Sequence, residues 1–343
     1  MKKILFAAAV MAAALFASCD KNDETINSVI PEAADGARIA ITLTGAGDTE
    51  TRAFFDTTAK AEAWESSLST LSVFAFDNGG TLIVRRDFSS AELASKSATF
   101  ALPKSTAGTE CSFYAVANYD ASSAKTKAAL MALVENSVAA YNGTFDEVST
   151  AAKRSGGFVM SGFATKTVGA VNTMTSVGIT LKRTVAKVAV QTTVDPLFAN
   201  KYSGTLTINS VKLSKAASQS LVAAGTPTPG TMTFSHTQTP AEASGNYNAL
   251  FYCFENGALA AGSRVLLEIN ATYDPDGNAS TTDDRSEVTY SIELTGKAAG
   301  EILRNGYYRI AANITGLVGQ DCAVSVTVAD WETPVTQNID LGA

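Results

Sequence analysis

The stretch "SVGITLKRTVAKVAVQTTV", residues 176–194, decides how this chain is divided. It is rich in Val, Ile and Thr, which favour strands, and it is too long for one ordinary strand. It is therefore expected to cross from one domain to the next, with the boundary near Lys182. A chain of 343 residues has room for two domains of ordinary size once a leader is set aside.

Upstream, "LSVFAF" at residues 71–76 is apolar on both faces and stops at "DNGG", a hairpin signal, before "TLIVRRDF". "SATFALP" and "CSFYAVANYD" suggest a second hairpin pair. Between residues 121 and 141 the pattern changes: Leu130, Leu133, Val134 and Val138 recur at helical spacing behind Ser122 and Ser123 as cap candidates. One helix is expected there. Downstream, "GTLTINSVKLS", "NYNALFYCFEN", "SRVLLEINATYDPDGN", "SEVTYSIELTG" and "NGYYRIAANITG" alternate between apolar and polar residues and are bounded by turn formers. Short strands with few helical windows indicate an all-β chain with a minor helix, built as two antiparallel β-sandwich domains in tandem.

The two ends are unusual. Near the start, "RIAITLTG" points Ile39, Ile41 and Leu43 one way and Ala40, Thr42 and Thr44 the other, the period of a half-buried strand. The connection that follows, "AGDTETRAFFDTTAKAEA", is too polar to pack until Phe54 and Phe55, so this first strand is loosely tethered. The last segment, residues 322–343, carries two alternating halves: Val324, Val326 and Val328, then Val335, Ile339 and Leu341. Trp331 and Pro334 join them, and the Pro prevents uninterrupted ladder pairing.

Residues 1–19 run from Lys2 and Lys3 through an apolar stretch to Ala17, Ser18 and Cys19, the order of a secretory signal. Ending on Cys, it resembles the signal of bacterial lipoproteins, with Phe16 a departure from the preferred Leu or Val. Cys19 is the expected lipidation site, and Asp20, Asp23 and Glu24 behind it resemble the export stretch of outer-surface lipoproteins of the Bacteroidetes. No later segment reaches the roughly 18 consecutive apolar residues of a spanning helix.

Chemistry is sparsely represented. With 26 basic against 33 acidic side chains the net charge is -7, which argues against a nucleic-acid partner. The single histidine, His236, has no acid near it in sequence and reads as a solvated loop residue. Cys111, Cys253 and Cys322 lie in apolar runs and read as small buried hydrophobes, with a disulfide possible but not required. "DPDGNASTTDD" begins with calcium-loop spacing, but Ala279 stands where such a loop needs Gly, so a polar hairpin tip is the better reading. No catalytic constellation, metal site or cofactor is expected, and the chain reads as a binding or assembly protein rather than an enzyme.

In order along nearly the whole chain stand "TRA" at residues 51–53, "LSVFAFDNGGTL", "FYAVAN", "VMSG", "ITLKRTVAKVAV", "FYCFEN" and "ILRNGYYRIAANITGL", followed by "VADWETPV". Together with Cys19 these resemble the fimbrillins, the major fimbrial subunit (type V pilin) family of Bacteroidetes. The resemblance implies transthyretin-like sandwich domains and a structural role in a cell-surface fimbrium, reached by way of an outer-membrane lipoprotein precursor. It also implies cutting by an Arg-specific surface protease between Arg52 and Ala53, which would discard Cys19 together with the strand bearing Ile39, Ile41 and Leu43. The chain then divides into a signal (1–19), a leader with a detachable strand (20–52), an N-terminal sandwich (53–181) and a C-terminal sandwich (182–343) with donor segment 322–343.

An opened sheet offers unpaired backbone groups and an apolar slot to another chain's strand. Val324, Val326, Val328, Val335, Ile339 and Leu341 have the alternation to fill one, giving a head-to-tail polymer with other copies or related fimbrial subunits. A stalk subunit is the expectation. The alternatives are an anchor that keeps its lipid, a tip that accepts a strand without donating one, or a surface glycan-binding lipoprotein. That last class calls for exposed aromatics, and of the two tryptophans Trp64 reads as core beside Leu68 and Leu71.

Overall fold

The computed structural model describes residues 36–45, 61–223, 232–278, 280–296, 299–317 and 323–330, the last of these by backbone alone. Its strands up to the expected boundary are β1 (Ala37–Thr44), β2 (Leu71–Phe76), β3 (Leu82–Asp87), β4 (Ser97–Leu102), β5 (Glu110–Ala117), β6 (Val134–Glu135), β7 (Met160–Thr167), β8 (Met174–Thr180) and β9 (Lys182–Arg183). Beyond it come β10 (Val185–Val194), β11 (Thr205–Ala217), β12 (Ser220–Leu221), β13 (Met232–Gln238), β14 (Ala241–Ala243), β15 (Asn246–Phe254), β16 (Leu266–Asp274), β17 (Ser286–Glu293), β18 (Gly306–Ile314) and β19 (Ala323–Asp330). Four short helices accompany them: α1 (Ser90–Ser95), α2 (Lys127–Met131), α3 (Phe145–Thr150) and α4 (Phe198–Tyr202).

Residues 37–183 supply a three-stranded sheet, β4-β1-β8, and a five-stranded sheet, β3-β2-β5-β7-β9. Their facing side chains share one core, in which Ile39, Ile41, Phe100 and Ile179 from the smaller sheet meet Val73, Ala75 and Phe113 from the larger. The expected hairpin is present: β2 pairs antiparallel with β3, and Asp77 closes the turn by accepting from Thr81 N through Oδ1 at 2.8 Å. The second hairpin is not. "SATFALP" and "CSFYAVANYD" go to different sheets, β4 pairing with β1 and β5 with β2 and β7.

The outer face of the larger sheet explains why "LSVFAF" is apolar on both sides. Phe74, Phe76, Tyr114 and Val116 are covered by Ala121, Ala124 and Leu130 and by Val222 and Ala223 from beyond β12. That cover required the expected single helix to break. Only α2 is helical, capped by Thr126 rather than Ser122 or Ser123, because Val134 and Glu135 pair with Leu221 and Ser220 and draw the chain into an extended conformation. A separate 3-10 turn holds Val138–Tyr141.

"SVGITLKRTVAKVAVQTTV" does not form one crossing strand; it is shared among β8, β9 and β10, each in a different sheet. From Val185 onward a nine-stranded sheet begins, in the order β17-β16-β11-β15-β10-β18-β19, with β13 on β11 and β14 on β15. The expected second sandwich of two separate sheets is thus replaced by one sheet curled into a half-barrel. It turns at β11, whose register shifts after Ile208 and after Leu213 and which meets β15 only through Ala217 and Phe254. Nor are the sheets wholly antiparallel, since β1 runs parallel to β8 and β10 parallel to β18.

One turn and one close strand crossing hold the larger sheet in place. Asn118, at φ 59 after β5, accepts through Oδ1 from Ser69 N (2.8 Å) and Thr70 N (3.3 Å) and donates through Nδ2 to Ser67 O (2.8 Å) and Phe158 O (2.7 Å). Buried and fully engaged, it gives the "FYAVAN" stretch a structural reason. Asn118→Ala leaves these backbone groups without partners and strains the turn, so a loss of about 2–3 kcal/mol in urea unfolding is expected. Gly162 of "VMSG" lies where β7 passes under β8: a Cβ there would sit 2.2 Å from Thr180 O.

Candidate functional site: the seat of the first strand

The strand β1 is central rather than loosely attached. Its register runs antiparallel to β4 from Ala37 opposite Leu102 to Thr42 opposite Ser97, and parallel to β8 from Arg38 opposite Met174 to Thr44 opposite Thr180. Because β4 and β8 do not pair with each other, β1 alone joins them. Ala37, Ile39, Ile41 and Leu43 are all at or below 4% exposed, so the alternation read in the sequence buries one whole face. The ladder extends past the strand, with Leu43 N donating to Lys96 O and Leu181 N to Thr44 O, both at 2.9 Å. Without β1, two rows of backbone donors and acceptors and a four-pocket apolar slot would face solvent.

The structure therefore brings Ile39, Ile41 and Leu43 together at one seat. Cys19, Arg52, Ala53, Val335, Ile339 and Leu341 lie outside the described residues, as do Trp331 and Cys322. Val324, Val326 and Val328 lie on β19, which pairs antiparallel with β18 from Gly306 opposite Asp330 to Asn313 opposite Ala323. In this chain, the first half of the C-terminal segment thus takes an edge position in its own sheet.

A buried polar cluster lies downstream of this seat. The 3-10 turn Ala63–Ser66 resumes the chain after the connection that follows β1, and its Glu65 enters the seam with the nine-stranded sheet. There Glu65 Oε1 lies 2.7 Å from Lys187 Nζ and accepts from the Tyr252 hydroxyl at 2.6 Å, both acid and lysine being fully buried. Arg183 donates to Glu65 O (2.8 Å), Ser66 Oγ (2.8 Å) and Asn305 Oδ1 (2.9 Å), with Asn305 held at φ 57. Burial pushes the Lys187 ammonium below its ordinary pKa, opposed by the Glu65 charge, and raises the Tyr252 phenol well above its own. The "LKRTVAK" and "RNGYY" stretches supply Arg183, Lys187 and Asn305 of this cluster. Sequence reading missed it; the available signal was two cations, Arg183 and Lys187, four residues apart and separated only by Thr, Val and Ala in a strand-like run.

The remaining candidates are structural. His236 is on β13 rather than in a solvated loop, half-buried against the Phe251 ring with Nε2 2.9 Å from Gly143 O. Cys111 and Cys253 are buried and free, and burial pushes the Cys253 thiol up to about 12. Trp64 is partly buried against Phe158. Asp274, Asp276 and Asp284 do converge at the β16–β17 hairpin, their oxygens within 4.8 Å of one another. Asp274, however, is already engaged by Arg285 Nε (3.2 Å) and Gly277 N (2.9 Å).

The fold and the family of this chain are both found among known proteins. A family model described as fimbrillin-A associated anchor proteins Mfa1 and Mfa2 matches residues 34–336. The protein is a structural, non-enzymatic component of a cell-surface fimbrium, and it belongs to that anchor-protein family. Among solved structures, the fold is similar to a candidate cell-adhesion protein of Bacteroides eggerthii at 20% identity and TM-score 0.58, covering 88% of this chain and 98% of that one. It is also similar to the tip fimbrial protein Mfa3 of Porphyromonas gingivalis with C-terminal truncation, at 13% identity and TM-score 0.54, covering 86% and 99%. No curated protein matches. The resemblance to major fimbrillins is thereby replaced by membership of the anchor-protein family, and the match does not single out a stalk subunit.

Proposed function

We propose that the chain is an anchor-type fimbrial subunit that stays on the outer membrane through lipid on Cys19. The observation that carries this reading is the seat of β1: the strand is continuous with the lipid-bearing leader and is locked between β4 and β8 along its length. A subunit that keeps β1 remains tied to its lipid, whereas one that loses it is released. On this reading the second half of the C-terminal segment, with Val335, Ile339 and Leu341, is offered to the vacated seat of the neighbouring fimbrial subunit. Val324, Val326 and Val328 stay on β18 of their own chain.

Arg52 in "TRA" favours a second reading. Arg-specific cutting between Arg52 and Ala53 would release residues 20–52, open the β1 seat and place the subunit within or at the tip of the filament. In either case the working parts are the leader of residues 20–52, the N-terminal unit of residues 53–181 and the C-terminal unit of residues 182–343.

Intact mass and N-terminal sequencing of the protein from outer membranes and from sheared filaments separate the two. Anchoring predicts a chain in the membrane fraction that begins at acylated Cys19 and is unchanged by Arg52→Ala. A chain beginning at Ala53 in filaments, lost in Arg52→Ala, would replace anchoring by the processed reading.

A further inference from the structure

A cleft of about 600 Å3 opens beside the β2–β3 edge, floored by Leu71 and the buried Phe88. Its volume is that of a small-ligand site. Arg85 lines it in a bidentate pair with Asp87, Nε to Oδ1 and Nη2 to Oδ2 both at 2.9 Å, and Ser72 Oγ donates to the same carboxylate at 2.6 Å. Arg154 also lines it, but its guanidinium is taken up by Glu135 Oε2 (3.3 Å), Asn118 O (3.0 Å) and Gly157 O (2.9 Å). Asp120 is exposed, with one oxygen accepting from Ser122 N at 2.9 Å. The exposed residues Ser69, Thr70, Ser90 and Ser155 add hydroxyls, and the half-buried Tyr119 adds an aromatic ring.

The charge balance selects the ligand. The lining carries two guanidiniums, Arg85 and Arg154, and two carboxylates, Asp87 and Asp120, and both guanidiniums are already committed to protein acceptors, so an anion would meet no uncommitted cation. A neutral polyol fits better: its hydroxyls can donate to Asp120 and Asp87, accept from the serine and threonine hydroxyls, and rest their C–H face on Tyr119. We propose that this cleft binds a neutral mono- or disaccharide unit of a glycan. The inference depends neither on lipid anchoring nor on strand exchange.

The test is saturation-transfer NMR on the full chain carrying Cys19→Ser, with galactose, mannose, fucose and lactose as neutral probes and N-acetylneuraminic acid, glucose 6-phosphate and putrescine as charged ones. Binding of at least one neutral sugar in the millimolar range is expected. Asp120→Asn should weaken it about tenfold, the worth of one hydrogen bond to a charged group. Thr70→Trp, which fills the cleft from an exposed position, should abolish it, with melting temperatures unchanged in both variants. No binding of any neutral sugar, preference for a charged probe, or binding unaffected by both variants would overturn the proposal.

Discussion

Ile41→Asp is expected to empty the β1 seat without any protease. The side chain is 1% exposed, facing Ala98 across one ladder and Val177 across the other, so the new carboxylate would have no water and no cation. The lost apolar burial contributes about 2 kcal/mol and the buried charge several more, together on the order of 5 kcal/mol. Because β4 and β8 pair with β1 and not with each other, the loss should appear as exchange of amide hydrogens along residues 97–102 and 174–180 while the nine-stranded sheet stays protected. Thr42→Asp, one residue on and exposed, should cost no more than about 0.5 kcal/mol. Equal effects at the two positions would mean that the face of β1 is not the determinant of its docking.

The second large effect belongs to the seam. In Glu65→Ala the Lys187 ammonium stays buried without its ion-pair partner and the Tyr252 hydroxyl loses its acceptor, a change worth about 3–5 kcal/mol in urea unfolding. Removing both charges, as Glu65→Leu with Lys187→Met, should recover most of that loss, because two paired buried charges are costly to desolvate and add little net stability. A double variant as unstable as the single one would show that packing around the 3-10 turn, rather than the uncompensated charge, is what matters.

Alternation located β1, β11, β15, β16, β17 and β18 and named the inward residues Ile39, Ile41 and Leu43, because a period of two is a local property that any half-buried strand must show, while β2 and β3 were found as apolar runs flanking a turn signal. The "DNGG" turn was equally legible, since its conformation is set by residues four apart. Tertiary structure decided the partners. That β1 runs parallel to β8, some 130 residues away, is fixed by which edges meet in the folded core, and no spacing in the chain encodes it. The same holds for the helical pattern of residues 130–138, overridden when Val134 and Glu135 found β12, and for the long stretch of residues 176–194, cut into three strands by three sheets. Arg183 and Lys187 were hidden for a further reason. A charge is read from sequence as exposed, and only the fold could bring Glu65, Ser66 and Asn305 to it and make its burial tolerable.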